Sequence, residues 1–503
     1  MNLRAVAWLL GCILLLLAGF LLVPAAVSSV YGETASVWAC VVSALVTALF
    51  GGGLVWRNRG STISSEGRVD YFRREGLAAV GLSWLIAAAA GALPFLLSGA
   101  IRSPVEAFFE SASGFTTTGS TILEGSEIEA LPKGIAFWRS FEHWLGGIGI
   151  VLVFVVLFPT GGRSLFRSEV PGISREAMQS RVRDSALGLA RVYVGLTAAQ
   201  IVALLFAGLS VYDAFLHAFG TLATGGFSNY AASVAAFDSW MVEGIIVVFM
   251  FSAGLNFAWY DTALRFGMKD AWPRLLRSGE FRAYAGLIVG SILVLTVVLW
   301  FWGGSNGDPG SELPDYRSIA TTFRDSSFSV VSIQTSTGYA TADFDRWPEF
   351  CRGLLMLLAM VGACAGSTGG GIKVVRFLIL ARASLRGVRR FARPRAIHAV
   401  RIDGEPLDEK MVASVTGYCG LWLLVSLGGT MALTAMGIDL VSAATGTLAC
   451  LNNIGPGLAT FGPTGNFAHV PEAGKALLAL FMILGRLEFY AVVILFVPGF
   501  WRR

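Results

Sequence analysis

Long apolar runs recur along the chain from Leu3 to Phe500, broken by short basic or acidic stretches. A helix needs roughly 20 residues to cross about 30 Å of hydrocarbon, and most of these runs reach that length. The first, Leu3 to Val27, has Arg4 before its apolar core and Pro24-Ala25-Ala26 after it, as a signal peptide does. Its apolar core exceeds the roughly 7–15 residues of such a segment, and a second run from Ala35 to Trp56 follows, so both read as retained helices.

After these two helices the pattern changes. The apolar helix Gly76–Leu97 is followed by "SPVEAFFESASGFTTTGST" (Ser103–Thr121), too short and too polar to cross, and then by the helix Gly134–Phe158. The same order recurs three times, with short segments at Val211–Tyr230, Ile319–Phe344 and Asp439–Gly462. Aligned on their turns, the four segments place Gly119, Gly225, Gly338 and Gly455 in register, roughly 105 to 120 residues apart, as duplicated units would be. The predicted fold is an all-α polytopic membrane protein. Four pseudo-symmetric helix–pore loop–helix repeats surround one central pore, plus two extra N-terminal transmembrane helices. The expected divisions are residues 1–57 (two N-terminal helices), 76–160 (repeat 1), 185–264 (repeat 2), 280–390 (repeat 3, its second helix interrupted), 391–410 (a basic loop) and 411–503 (repeat 4).

Composition supports the membrane reading. Of 503 residues, 55% are hydrophobic and 14% charged, and the mean hydropathy of +0.66 lies outside the range of soluble domains. The net charge of +5 is concentrated in Arg57–Glu75, Arg163–Arg183, Arg265–Arg282 and Arg382–Arg401, while Glu124, Glu127, Glu129, Asp308, Glu312 and Asp315 occupy the alternate loops. By the positive-inside rule the basic loops and both termini face the cytoplasm. Basic residues spread over separate short loops do not make a nucleic-acid surface. The six cysteines lie mostly within apolar runs without CxxC spacing, and the four histidines are scattered, so neither disulfides nor a structural metal is expected. No nucleophile–base arrangement suggests an enzyme.

Irregular backbone at membrane depth is tolerated only where it is buried in protein or lines water. Four re-entrant loops converging on one axis meet that condition, and the C-terminal end of each short helix would bring partial negative charge to the centre. The turns "TTTGS", "ATGGF", "STGYA" and "NIGPG" can aim carbonyl oxygens inward in place of the hydration shell of an alkali cation, with threonine hydroxyls as further ligands.

The segments "SGFTTTGST", "TLATGGFS", "QTSTGYAT", "CLNNIGPG", "CAGSTGGGIKVVR" and "LGRLEFYAVVILFVPGFWR" together resemble the TrkH branch of the Trk/Ktr/HKT potassium transporter superfamily over nearly the whole chain. The resemblance implies a single-chain pseudo-fourfold K⁺ pore in the bacterial inner membrane and a homodimer. It also implies a cytoplasmic ring of TrkA-like subunits that carries the regulatory nucleotide. No cofactor is covalently bound, and K⁺ is the transported ligand. Transferred residue by residue, the K⁺ filter comprises Thr117, Thr118 and Gly119; Ala223, Thr224 and Gly225; Ser336, Thr337 and Gly338; and Asn453, Ile454 and Gly455.

From Phe350 to Arg390 the chain is nearly continuously nonpolar up to its basic tail, about twice the length of one helical span. The break is expected at Gly362–Lys373, whose glycines disfavour helix by roughly 1 kcal/mol each. Gly366, Gly371 and Lys373 nearly match a P-loop, but Ile372 intervenes, no hydroxyl follows the lysine, and the flanks are membrane helices. The resemblance instead makes Gly366, Ser367, Thr368, Gly369, Gly370, Gly371 and Lys373 a gate beneath the filter, with Arg486 beside the path. Arg486 and Glu488 each need a partner or a watery cavity. For Arg486 a structural ion pair is the alternative; for Glu488 a structural partner is the preferred reading. Glu142 and His143 diverge by about 100° on a helix, so they read as packing residues and not as an acid–base pair. Gly146, Gly147 and Gly149 read as a close helix contact, and Arg382–Arg401 as a docking surface for the cytoplasmic ring.

A solute carrier with twofold repeats fits less well than a fourfold pore. Ion-coupled K⁺ symport and a Na⁺-permeable cation transporter stay open. The lack of an evident carboxylate chain for protons favours gated, channel-like uptake.

Overall fold

The computed structural model describes residues 1–59, 69–157, 175–306, 316–393, 399–487 and 489–501. The acidic positions Asp308, Glu312 and Asp315, residues 60–68 and 163–174 of the first two basic loops, residues 394–398 of the Arg382–Arg401 segment, and Glu488 lie outside them. Six described helices are long and apolar enough to cross a membrane. The N-terminal pair, Leu3–Phe20 continuing as Leu22–Val30 and then Thr34–Arg57, packs against the first helix of the first repeat.

Each repeat has a leading helix, a short pore helix and a trailing helix. The leading helices are Val69–Leu97, Arg175–Phe206, Gly279–Asn306 and Glu409–Ala435. The pore helices, Pro104–Phe115, Val211–Leu222, Ile319–Gln334 and Leu440–Asn452, are about 18–24 Å long, too short to span. Their starts are written in the sequence as Ser103, Ser210, Ser318 and Asp439. The last three accept side-chain caps from Asp213, Thr321 and Ser442. Hydrogen bonds from Ser442 hold the Asp439 carboxyl below the usual carboxylate range.

The trailing helices are Lys133–Leu157, Trp240–Ala253, Glu349–Val361 and Glu472–Arg486. Each pore helix packs on the trailing helix of the repeat before it, and the first packs on Glu472–Arg486 of the last, so the arrangement closes into a ring. Three trailing helices break near the level where the pore helices end. The interruption at Gly362–Lys373 is followed by the helix Val374–Ala392, and Glu472–Arg486 stops just before Phe489, whose φ is +55°. The break in repeat 2 was not legible: Trp240–Ala253 turns by 90° into Phe257–Phe266. Asn256 caps the second piece by accepting from Ala258 N at 2.9 Å. This break is stitched to that of repeat 3, because Phe257 N donates to Gly366 O and Cys364 N to Gly254 O.

A two-stranded hairpin qualifies the all-α expectation. Arg401–Ile402 pairs antiparallel with Glu405–Pro406 across Asp403-Gly404, both with positive φ, a turn that this dipeptide favours. Asp403 accepts from Gly279 N at 2.7 Å and so holds the hairpin against the leading helix of repeat 3.

Candidate functional site: a ring of four turns above a glycine loop

Each pore helix ends in a residue with left-handed backbone, Thr117 (φ 53°), Thr224 (55°), Ser336 (62°) and Asn453 (53°). None is glycine, and such backbone costs about 1–3 kcal/mol per residue where the surroundings enforce it. The next residue closes each turn back onto its helix: Thr118 N donates to Ser113 O, Gly225 N to Gly220 O, Thr337 N to Ser332 O and Ile454 N to Ala449 O. Gly119 (84°), Gly226 (79°) and Gly338 (81°) then take positive φ. Gly455 does not, consistent with Pro456 after it, since the residue before a proline is driven to extended backbone.

This hydrogen-bond ladder corrects the register. Gly226, not Gly225, matches Gly119, Gly338 and Gly455, and the repeat 2 triplet is Thr224-Gly225-Gly226. Ala223, expected in the filter, is the helix C-cap and corresponds to Thr116 and Thr335. "TGG" offers two adjacent glycines, and only the ladder decides between them.

The four turns touch in a closed circuit. A Cβ on Gly119 would strike the carbonyl oxygen of Gly225, and one on Gly226 would strike that of Thr337. One on Gly338 would lie 2.9 Å from Gly455 N, and one on Gly455 3.0 Å from Gly119 O. Ser120 Oγ donates to Gly455 O (3.0 Å) and Asn453 Nδ2 to Thr118 Oγ1 (3.0 Å), tying turn 4 to turn 1. Among the described residues, no hydrogen bond reaches the carbonyl oxygens of Thr117, Thr118, Thr224, Ser336, Thr337, Asn453 or Ile454. A polar cavity opens over the ring, lined by Ser120, Gly226, Gly338 and Pro456 among others.

The hydroxyls are mostly committed elsewhere. Thr118 Oγ1 pairs with Thr116 Oγ1 at 2.7 Å, Thr337 Oγ1 with Thr335 Oγ1 at 2.8 Å, and Thr224 Oγ1 donates to Ala223 O. Only Thr117 Oγ1 of these threonine hydroxyls lacks a partner. The ring therefore offers carbonyls more than hydroxyls.

Several residues behind the turns escaped the sequence reading. Glu110 is fully buried in the first pore helix. It meets Arg139 Nε at 2.6 Å and accepts from Ile122 N and Thr121 Oγ1, so a buried carboxylate is paired and hydrogen-bonded, as it must be. Arg139 also donates to Ser228 O at 2.9 Å and lies 3.6 Å over the Phe227 ring, joining repeat 1 to the exit of turn 2. Tyr339 OH donates to Phe227 O at 3.2 Å. Glu142 accepts from Ser111 Oγ at 2.7 Å, whereas His143 reaches Gly114 O and Phe227 N. The two do not share a partner atom, but both brace the first pore helix. Gly146 and Gly147 admit Phe115 O and the Ala223 backbone; Gly149 has only ordinary contacts.

The glycine loop lies against the C-terminal ends of three pore helices. Thr368 Oγ1 donates to Leu222 O at 2.9 Å, Gly370 N donates to Ser336 Oγ at 2.6 Å, and a Cβ on Gly370 would strike Asn452 O. Ser367 Oγ donates to Cys364 O and Lys373 Nζ to Gly369 O, folding the loop on itself, and both Gly366 and Gly371 have positive φ. Arg486, buried in the trailing helix of repeat 4, donates through Nη1 to Thr368 O at 2.6 Å and through Nη2 to Gly146 O at 3.5 Å. The alternative of an ion pair finds no partner among the described residues; its partners there are carbonyl oxygens.

A family model described as TrkH, cation transport protein, matches residues 7–502. The chain is similar to the Trk system potassium uptake protein TrkH of Salmonella typhimurium, 36% identical with all of both chains covered. It is 35% identical to that of Escherichia coli K12, again over the full length of both. It is 30% identical to the Trk system potassium uptake protein TrkG of the same organism, covering 100% of this chain and 99% of the other. The crystal structure of the potassium transporter TrkH from Vibrio parahaemolyticus superposes with a TM-score of 0.88 at 34% identity, covering all of both chains.

Proposed function

Because the chain belongs to the TrkH family of cation transport proteins, multi-span membrane transporters and not enzymes, we propose that it takes up K⁺ through the ring of four turns. One observation carries this reading: buried carbonyl oxygens from four consecutive turns, most of them without a hydrogen bond among the described residues, lie together where the pore helices end. Neutral carbonyls replace the hydration shell of K⁺ without binding it too tightly to release, and four helix C-termini add partial negative charge. The coordinating residues are Thr117-Thr118-Gly119, Thr224-Gly225-Gly226, Ser336-Thr337-Gly338 and Asn453-Ile454-Gly455.

The loop Gly366–Gly371 and Arg486 form the gate. A guanidinium beneath the ring opposes a cation, and the loop occupies the space it would enter. As the membrane component of a Trk system, the chain is proposed to sit in the bacterial inner membrane with its basic loops inside, to work as a homodimer, and to be opened by a cytoplasmic nucleotide-binding ring docked near Arg382–Arg401.

Radioactive rubidium uptake into proteoliposomes tests the reading. Uptake competed by K⁺ far more strongly than by Na⁺ supports it, and equal competition by the two ions contradicts it.

A further inference from the structure

We infer that His143 is a positioning residue that sets the ion specificity of the filter, by fixing the one turn that has no threonine clamp of its own. The inference rests on the filter reading above.

Turns 1 and 3 are held from within. In each, the hydroxyl of the helix-capping threonine meets that of the threonine two residues on: Thr116 with Thr118 and Thr335 with Thr337. Turn 4 is held by Asn453 Nδ2, which donates to Thr118 Oγ1 and to Met482 O. At the clamp positions turn 2 has Ala223 and Gly225, which carry no hydroxyl.

The imidazole of His143 fills that place. It is fully buried and stacks on Phe227 with ring centroids 4.2 Å apart. A Cβ on Gly225 would lie 2.5 Å from its ring, and all three of the nearest atoms to that Cβ belong to His143. Nδ1 lies 2.7 Å from Gly114 O, in the last turn of the first pore helix, and Nε2 lies 3.3 Å from Phe227 N. A backbone N–H can only donate, so Nε2 accepts and Nδ1 carries the proton it gives to Gly114 O.

The peptide between Gly226 and Phe227 is planar and trans, so its N–H and C=O point in opposite directions. Holding Phe227 N–H toward His143, behind the turn, directs the Gly226 carbonyl away from it, to the side of the ring. His143 thus bridges the first pore helix to the peptide plane that presents an oxygen of turn 2. Losing that bridge frees the plane to rotate and loosens the cage that tells K⁺ from the smaller Na⁺.

The test is the K⁺/Na⁺ permeability ratio from reversal potentials in proteoliposomes, a readout independent of how much protein folds. His143→Phe keeps an aromatic ring on Phe227 but has neither hydrogen bond, whereas His143→Gln retains one donor and one acceptor. The expected result is a fall of about tenfold in the ratio for His143→Phe, the factor that one lost hydrogen bond of about 1 kcal/mol or slightly more supplies, with the ratio largely restored in His143→Gln. A conducting His143→Phe with the wild-type ratio overturns the inference. His143→Leu fills the space without either hydrogen bond and decides the matter if His143→Phe fails to fold. A low ratio supports the bridge; a wild-type ratio reduces His143 to a space filler and overturns it. A wild-type protein that itself fails to distinguish K⁺ from Na⁺ contradicts the filter reading instead.

Discussion

Arg486 in the fourth repeat donates through Nη1 to the carbonyl oxygen of Thr368 in the third at 2.6 Å, and that bond joins the buried cation to the glycine loop. The same guanidinium reaches Gly146 O in the first repeat, so it ties three repeats together beneath the ring. Thr368 in turn caps the second pore helix through Leu222 O.

Removing this tie is expected to open the gate. Arg486→Ala loses a charge-assisted hydrogen bond worth about 1.5–3 kcal/mol, which shifts a closed–open equilibrium by roughly tenfold to a hundredfold. Rubidium flux without the cytoplasmic partner should rise accordingly. Arg486→Lys should fall between, because an ammonium lacks the planar fork that spans two carbonyls.

Ser336 belongs to the third turn, yet its hydroxyl accepts the Gly370 N–H of the loop at 2.6 Å. Ser336→Ala leaves that buried donor unpaired at a cost of about 1–3 kcal/mol in the closed state only. Partner-free flux should increase with the K⁺/Na⁺ ratio kept, since the turn supplies backbone oxygens. A lowered ratio would place the Ser336 hydroxyl in the filter.

The corrected register makes its own prediction. Gly226→Ala puts a side chain at φ +79° and against the carbonyl of Thr337, so flux and selectivity should both collapse. Ala223→Gly, at the helix C-cap, should cost about 1 kcal/mol of stability at most and leave the permeability ratio unchanged. Equal loss of selectivity in the two variants would restore the original alignment.

Four turns on a repeating helical frame were legible because the apolar period, the short polar segments and the turn glycines all pointed the same way. The one-residue slip in repeat 2 arose where that signal is degenerate, at Gly225-Gly226. The break at Gly254–Asn256 was hidden because "AGLN" has one glycine within an apolar run, against four near Gly366–Gly371. Arg486 was recognisable as a costly charge, but its carbonyl partners lie in distant segments that only the fold unites. Glu142 and His143 were correctly separated by their angle on the helix. Their contacts were invisible because they depend on Ser111, Gly114 and Phe227 meeting that helix from two different repeats.

The buried pair Glu110–Arg139 should prove structural. Glu110→Gln leaves Arg139 uncompensated between the first pore helix and Ser228, and breaking such a pair costs about 3–5 kcal/mol. Thermal unfolding in detergent should show a clear drop in midpoint. An unchanged midpoint would mean that the pair does not hold the first pore helix to its trailing helix.

The central claim is that the four turns form a K⁺-selective path closed by the glycine loop, and reversal potentials of Arg486→Ala in proteoliposomes test it most directly. Under opposed K⁺ and Na⁺ gradients at equal pH, the potential should follow the K⁺ gradient, and imposing a pH gradient should not move it. A potential that ignores the K⁺ gradient, or tracks pH or Na⁺, would contradict the account.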